Sequence, residues 1–205
     1  MTHSKNISNS QLRRLDRGVE DQAWISAFLK AKSVGILATS DENQPFINSN
    51  LFAYDEADHA IYIHTGRLGR TRSNIEKNPR VCFHVFELGR FLPADKALEF
   101  SVEYAGVTIF GQIQILEKAS GKERALQLIL DKYAPHLKPG KDYRSITPDE
   151  LKRTAVFKLI IREWSAKKKI VASDFPQAFH FPEETFLQPE NSPLDTGKSG
   201  LDRAP

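Results

Sequence analysis

The run Ser33-Val-Gly-Ile-Leu-Ala-Thr39, the segment Phe46-Ile-Asn-Ser-Asn-Leu-Phe-Ala-Tyr54 and the run Ala60-Ile-Tyr-Ile-His-Thr65 decide the fold. Each is rich in β-prone residues. Asp41-Glu-Asn-Gln-Pro45 and Asp55-Glu-Ala-Asp58 separate them, both with turn composition. That pattern predicts three strands of an antiparallel meander. In the middle strand, Phe46, Asn48, Asn50 and Phe52 alternate with Ile47, Ser49, Leu51 and Ala53. Side chains in a strand alternate between faces, so Asn48 and Asn50 share one face and Ser49 takes the other.

Working outward, Ala23, Trp24, Ala27, Phe28 and Ala31 recur at helical spacing and predict a helix over 20–31. Residues 1–17 are polar and read as a loose or short arm. After the third strand, Gly66-Arg-Leu-Gly69 breaks the pattern. A short helix is expected over 70–77, ending before Asn78-Pro79, and a strand over 80–87. Residues 89–98, with Pro93, read as an inserted loop. The segment 99–117 is too long for one straight strand, and its Gly106 and Gly111 predict a bend, a bulge or two strands. An amphipathic helix follows at 122–133, with Ala125, Leu126, Ile129, Leu130 and Tyr133 on one face. A loop is expected over 138–149 and a last strand over 155–164. From Ser173 the periodicity fades, and Phe175, Phe179, Phe181 and Phe186 could anchor an arm. Beyond Gln188 the composition predicts disorder. The expected organisation is an arm over 1–17, one domain over 18–172 and a tail over 173–205. The fold class is mainly β with flanking helices, a closed or partly closed antiparallel barrel rather than a doubly wound sheet.

The chain has 205 residues, 40% hydrophobic and 27% charged, with a formal net charge of +3. That charge is modest for a nucleic-acid binder, so no nucleic-acid partner is expected. It suits a small anionic ligand. With a single cysteine, Cys82, no intramolecular disulfide forms. Val81-Cys82-Phe83 reads as a small hydrophobe inside an apolar run. No zinc spacing is present, so no metal is expected. No apolar run reaches the ~20 residues of a membrane span. The expected compartment is a reducing cytoplasm.

The densest polar constellation is His64-Thr-Gly-Arg-Leu-Gly-Arg-Thr-Arg-Ser73. It lies where a strand ends and a helix begins, and a helix N-terminus offers free N–H groups and a favourable dipole to an anion. Arg67, Arg70 and Arg72 add fixed charge, and Thr65, Thr71 and Ser73 add hydroxyls. This is chemistry for a phosphate monoester; a solvated loop is the bland alternative. Neither a P-loop nor a GxGxxG pattern is present. Asn48-Ser49-Asn50 is a second constellation, since small polar residues are uncommon within a strand. It could meet a polyol or a heterocycle edge, or face solvent. Arg162-Glu-Trp-Ser-Ala-Lys-Lys-Lys169 is a third, readable as a basic footprint or a solvated strand end. Glu99, Glu103 and Tyr104 are further cleft candidates.

The order of these pieces resembles the pyridoxamine 5′-phosphate oxidase-like family, in the branch of nitroimidazole-resistance and flavin-nucleotide-binding proteins. The resemblance is carried by Gly35-Ile-Leu-Ala-Thr39, Gln44-Pro-Phe-Ile-Asn-Ser-Asn-Leu-Phe52, Ile61-Tyr-Ile-His-Thr65, Gly69-Arg-Thr-Arg-Ser-Asn-Ile75 and Asn78-Pro-Arg-Val-Cys-Phe83. Leu98 to Val107, Phe110-Gly111 and Trp164-Ser-Ala-Lys167 continue it, over residues 14–169. It implies a six-stranded antiparallel split β-barrel and a homodimer with FMN sites at the subunit interface. It also implies that Asn48, Ser49 and Asn50 lie along the flavin and ribityl chain. His64, Thr65, Arg70 and Thr71, with Ser73, would hold the phosphate. Trp164 and Lys167 would come from the other subunit, and Glu103 and Tyr104 would fall in the interface strand. Many relatives carry lysine where this chain has Thr71, and Arg70 and Arg72 offer charge beside it. The residues that grip the vitamin phosphate in true pyridoxamine phosphate oxidases are not recognisable, so oxidation of that vitamin is not expected. The implied function is a flavin-dependent oxidoreductase acting on a small organic acceptor, nitroaromatic or quinone-like. A flavin-binding module without turnover and a tetrapyrrole binder are the alternatives. For the latter, His59, His64, His84 and His136 are the histidines of the folded region, and no spacing selects one as an axial ligand.

Overall fold

The computed structural model describes residues 8–181. In chain order the elements are β1 (Gly18–Val19), α1 (Gln22–Ala31), β2 (Gly35–Asp41), β3 (Gln44–Asn50), β4 (Phe52–Asp55), β5 (Ala60–Gly66), α2 (Arg70–Lys77), β6 (Arg80–Leu92), β7 (Ser101–Ile115), α3 (Ala119–Tyr133), α4 (Pro148–Arg153), β8 (Thr154–Lys169) and β9 (Phe179–His180). The residues fall into two compact units, one of 8–88 with 104–169 and one of 89–103 with 170–181.

In the first unit the hydrogen-bonded order is β3-β2-β6-β7-β8-β5-β4. Its two ends, β3 and β4, are consecutive in the chain, with Leu51 alone between them. The expected meander is therefore corrected. The middle strand breaks at Leu51: β3 pairs with β2, whereas β4 pairs with β5. Counting β3 and β4 as one broken strand gives six long strands in an antiparallel sheet that wraps back on itself without closing its ladder. This is the split-barrel architecture.

Alternation explains the core. Leu37 faces Phe83, Ile63 faces Phe157, Ile61 faces Leu159 and Val107 faces Ala166, all of them buried. Phe52 meets Phe83 edge-on, with ring centroids 5.2 Å apart, and α1 adds Ile25, Phe28 and Leu29. Asp21 starts α1 by accepting the N–H groups of Ala23 and Trp24. The other face of β5 and β8 buries Ala60, Tyr62 and Val156 under Ala125 of α3.

The long β-segment is one strand, β7, and its irregularity falls at Gly111. The β8 register shifts between Phe110 and Gly111. The strand expected to end at Glu87 runs on to Leu92, so the expected loop over 89–98 begins as strand. The last strand continues to Lys169 because the basic run keeps pairing, Lys167 opposite Gly106 and Lys169 opposite Tyr104. Helix α4 bridges the end of the expected loop and the start of the last strand, and begins with a Thr147–Glu150 capping box. At the end of the N-terminal segment Ser10 Oγ donates to Glu163 at 2.9 Å, and just after it β1 pairs with β8. Cys82 is half-buried rather than in the core, and burial raises its thiol pKa, which disfavours the thiolate.

In the second unit, Arg90 donates to both carboxylate oxygens of Glu103 and to the carbonyls of Val171, Ala172 and Ser173. Strand β9 pairs with Arg90 and Phe91, and Phe179 stacks on Phe91. Phe175, Phe179 and Phe181 belong to this unit, whereas Phe186 and the expected tail beyond Gln188 lie outside the described residues.

The break at Leu51 is clasped by Tyr133. Its hydroxyl accepts the Phe52 N–H at 3.0 Å and donates to the Ser33 carbonyl at 2.5 Å. Tyr133→Phe strands that N–H in a residue with no exposure. The expected cost is about 1–2 kcal/mol, the penalty for an unpaired buried donor. A urea midpoint unchanged from the parent would refute the clasp.

The neighbouring Lys132 reaches the Leu29 carbonyl and lies 3.6 Å from the Phe52 ring centroid, and burial lowers its pKa to about 8. Among the described residues it has no carboxylate partner. Between pH 8 and its unfolded value near 10.5 the unfolded chain holds the extra proton, so this group makes stability rise with pH across that window. Urea midpoints measured at pH 7, 8, 9 and 10 should show this rise, and Lys132→Met should flatten it. The same slope in both proteins would remove the assignment.

Candidate functional site

Helix α2 begins abruptly. Its N-cap is Gly69, with φ 143°, a conformation that favours glycine, and no side chain caps the first turn. Ser73 N–H donates back to the Gly69 carbonyl, which leaves the N–H groups of Arg70, Thr71 and Arg72 pointing out of the helix start. Thr71, Asn74 and Ile75 are buried, and Asn74 fixes the helix by donating to Thr39 Oγ1 at 2.9 Å. Thr71 faces inward, yet its hydroxyl has no hydrogen-bond partner among the described residues.

Arg70 places this turn. Its guanidinium carbon lies 4.9 Å from the Phe46 ring centroid. Phe46, Asn48 and Asn50 share a face of β3, so α2 overhangs the face that carries both asparagines. Asn50 is buried and donates to the Asn48 carbonyl at 2.8 Å, and Asn48 donates to Asn50 Oδ1 at 3.3 Å. The structure thus brings Asn48, Asn50, Arg70, Thr71 and Ser73 to one end of the barrel. Among the described residues, Arg70 and Ser73 have no side-chain hydrogen bond or ion pair. Arg72 does not share this freedom: it binds Glu76 at 2.8 Å and faces Glu117 at 3.8 Å.

The remaining expected residues separate. Ser49 lies opposite Ile36, which pairs with His84, so it belongs to the outer face of the sheet. Lys167 and Tyr104 are on that outer face too, and Tyr104 Oη accepts from Arg17 at 3.2 Å. Trp164 faces the other way. It pairs with Ile109 and packs against His59, ring centroids 4.7 Å apart, so it does not share a face with Lys167. His64 and Thr65 are consecutive on β5 and take opposite faces. His64 is surface-accessible on the side α3 covers, where crowding around its ring lowers its pKa, and Thr65 donates to the Gly66 carbonyl. Glu103 lies in the second unit with its carboxylate spent. Arg90, then the Val171 N–H, hold its pKa down at about 2.

The outer face holds a cleft of about 300 Å³ that sequence reading missed, lined by His84, Phe86, Tyr104, Gly106, Thr108 and Lys167 among others. His84 Nδ1 lies 3.0 Å from Thr108 Oγ1, its ring stacks on Phe86, and burial lowers its pKa. Gly106 forms the floor: a Cβ there would come within 3.3 Å of the His84 ring. The signal in the sequence was the alternation Cys82, His84, Phe86 on the outward side of β6.

Residues 21–168 match the model of the pyridoxamine 5′-phosphate oxidase family. The chain belongs to that family. The split barrel is thereby family architecture. Three solved structures share the fold. The flavocytochrome Anf3 of Azotobacter vinelandii is 22% identical, with 97% of this chain and 93% of that one covered and a TM-score of 0.70. A FAD and heme binding protein of Mycobacterium smegmatis is 19% identical over 74% of this chain and 73% of that one, TM-score 0.66. A candidate 5-nitroimidazole antibiotic resistance protein of Bacteroides thetaiotaomicron is 20% identical over 74% and 86%, TM-score 0.62. No curated protein matches the chain. No helix among the described residues of this family member is long and apolar enough to cross a membrane.

Proposed function

We propose that the protein binds FMN as a homodimer and passes electrons from a reduced donor to a small organic acceptor, nitroaromatic or quinone-like. The observation that carries this reading is the start of α2. An uncapped helix end, one unpaired guanidinium and two unspent hydroxyls converge beside a strand face bearing two amides. A phosphate monoester satisfies all of these donors at once, and the amides of Asn48 and Asn50 suit the hydroxyls of a ribityl chain.

When bound, flavin supplies hydride and single-electron chemistry. The chain's own work is to hold it. Arg70 and the free N–H groups neutralise the phosphate, and Gly69 keeps the backbone open to it. The outer face supports the dimer: Ile47 and Phe86 are exposed there, and Ile36, Cys82 and Phe110 are half-buried. An apolar sheet face of that kind calls for a cover, and a second copy would also bring its Tyr104 and Lys167 to a shared site. The expected location is the cytoplasm.

A second reading has one observation in its favour. His84 lines a cleft with its Nδ1 3.0 Å from Thr108 Oγ1, the kind of hydrogen bond that orients an axial histidine. Two of the solved relatives are named for haem or cytochrome content, which keeps a tetrapyrrole as the alternative.

One preparation separates these readings. The purified protein is loaded with FMN, freed of excess by gel filtration and examined by absorption and sedimentation velocity. Retained flavin bands on a particle of twice the 23.2 kDa chain mass are expected. Reduction by NADH or NADPH and reoxidation by a nitroaromatic or quinone would then mark turnover, and bound but inert flavin would mark a carrier or sensor. A Soret band lost in His84→Ala, with no flavin retained, would replace the first reading by the second.

A further inference from the structure

A second basic cleft, of about 570 Å³, opens on the other side of α2. Arg67, Arg72, Lys122 and Lys152 line it together with Glu117; Lys152 also pairs with Asp149 at 3.2 Å, and Lys122 donates to the Leu151 carbonyl. Thr154, also in its lining, pairs with Gly66 at the end of β5, on the sheet face that carries His64. Arg67 and Arg72 come from the same short segment as Arg70, Thr71 and Ser73, so the cleft begins where the phosphate cradle ends.

Its other features suit a nucleotide. Arg67 has no ion-pair partner among the described residues. Arg72 binds Glu76 through Nε and reaches Glu117 only at 3.8 Å, so its terminal nitrogens retain donors. The first turn of α3, Ala119-Ser-Gly-Lys122, opens beside the cleft with no side-chain cap and no acidic residue. Small residues there leave the free N–H groups approachable. Pro148 and Leu151 supply an apolar wall. The volume exceeds what a lone phosphate needs and lies in the usual range for a small organic ligand.

We infer that this cleft binds the phosphate groups of an adenine nucleotide. Two sources share that chemistry: the adenylate half of FAD, with its flavin end at α2, or a nicotinamide dinucleotide bound next to FMN. Through FAD, the flavin-side phosphate stays in the cradle at the start of α2 and the adenylate phosphate enters the cleft; through a nicotinamide dinucleotide, both phosphates lie between Arg67, Arg72 and the start of α3. The inference rests on the flavin reading for the identity of the dinucleotide, not for the cleft's affinity for phosphate.

The test uses the full chain, stripped of bound cofactor, and the double variant Arg67→Ala/Lys152→Ala. Titration calorimetry with ADP alone reads the cleft directly. The expected result is binding that weakens at least tenfold in the double variant. Flavin fluorescence titrations then assign the source. FAD bound at least tenfold more tightly than FMN, with the advantage lost in the double variant, upholds the inference through FAD. Equal FMN and FAD affinities, with NADPH binding to the FMN-loaded protein lost in the double variant, uphold it through the electron donor. ADP binding that is absent, or unchanged by the double variant, overturns the inference and leaves the flavin reading intact. A protein that binds ADP but neither flavin retains the cleft and removes the flavin reading.

Discussion

Replacing Arg70 by alanine is expected to weaken FMN binding by about 10- to 100-fold, without loss of stability. The guanidinium has no acidic partner among the described residues, and its one close neighbour is the ring of Phe46. Its removal orphans no carboxylate, so the barrel is not expected to suffer. A hydrogen bond to a charged phosphate contributes about 1.5–3 kcal/mol, and each 1.4 kcal/mol is a factor of about ten. Arg72 is the internal control. It is two residues away and equally charged, but its Nε is committed to Glu76. Arg72→Ala should change FMN affinity by less than about threefold. Fluorescence quenching titrations of both variants check this. Equal losses would mean that the segment attracts phosphate only through its overall charge.

Gly111→Ala is expected to destabilise the barrel by about 3 kcal/mol or more, the upper part of the range for over-packing a tight interior. A Cβ at this position would lie 2.1 Å from the Ile160 carbonyl oxygen and 2.9 Å from Leu159 Cδ1. The first contact is backbone, so no rotamer change relieves it, and β7 and β8 would have to separate where their register shifts. Gly121→Ala in α3 is the comparison. The nearest atom to a Cβ there is Leu116 Cδ1 at 4.0 Å. In a helix that exchange is neutral or favourable by up to about 1 kcal/mol. Thermal unfolding followed by circular dichroism should separate the variants by many degrees. A Gly111→Ala protein that melts with the parent would mean that the bulge is slack.

The parts of this fold that were legible in the sequence are those set by local chemistry. The helices at 20–31, 70–77 and 122–133 follow from apolar spacing or from a glycine start and an Asn-Pro stop. The bulge near Gly111 follows from a glycine in a strand too long to stay regular. The partition of one strand at Leu51 was not legible. Phe46 to Tyr54 has continuous β-propensity, and only the positions of β2 and β5 in the sheet dictate that its halves pair with different partners. The same holds for the site. Arg70, Thr71 and Ser73 announced themselves by type and by the glycines before them. The grouping of the rest depends on face parity. Trp164 and Lys167 are three residues apart in β8, an odd spacing that sends them to opposite sides, and His64 and Thr65 part for the same reason. His84 was overlooked because a histidine in an apolar strand carries no motif; its cleft comes from Gly106 and Thr108 on the next strand.

The strand order also bears on how the chain is made. Strand β8 pairs with β1, β5 and β7, and it is the last long strand of the sheet. Without it the ladder β3-β2-β6-β7 and the hairpin β4-β5 have no pairing in common, and the chain joins them only through Leu51 and through the segment 67–79 that carries α2. A ribosome that has delivered residues 1–153 has therefore produced two separate sheets with open edges. Synthesis of the next 16 residues supplies the strand that joins them. Between those two moments the nascent chain carries the aggregation hazard of an unpaired β-edge, and the interval between them is set by translation speed rather than by the chain itself.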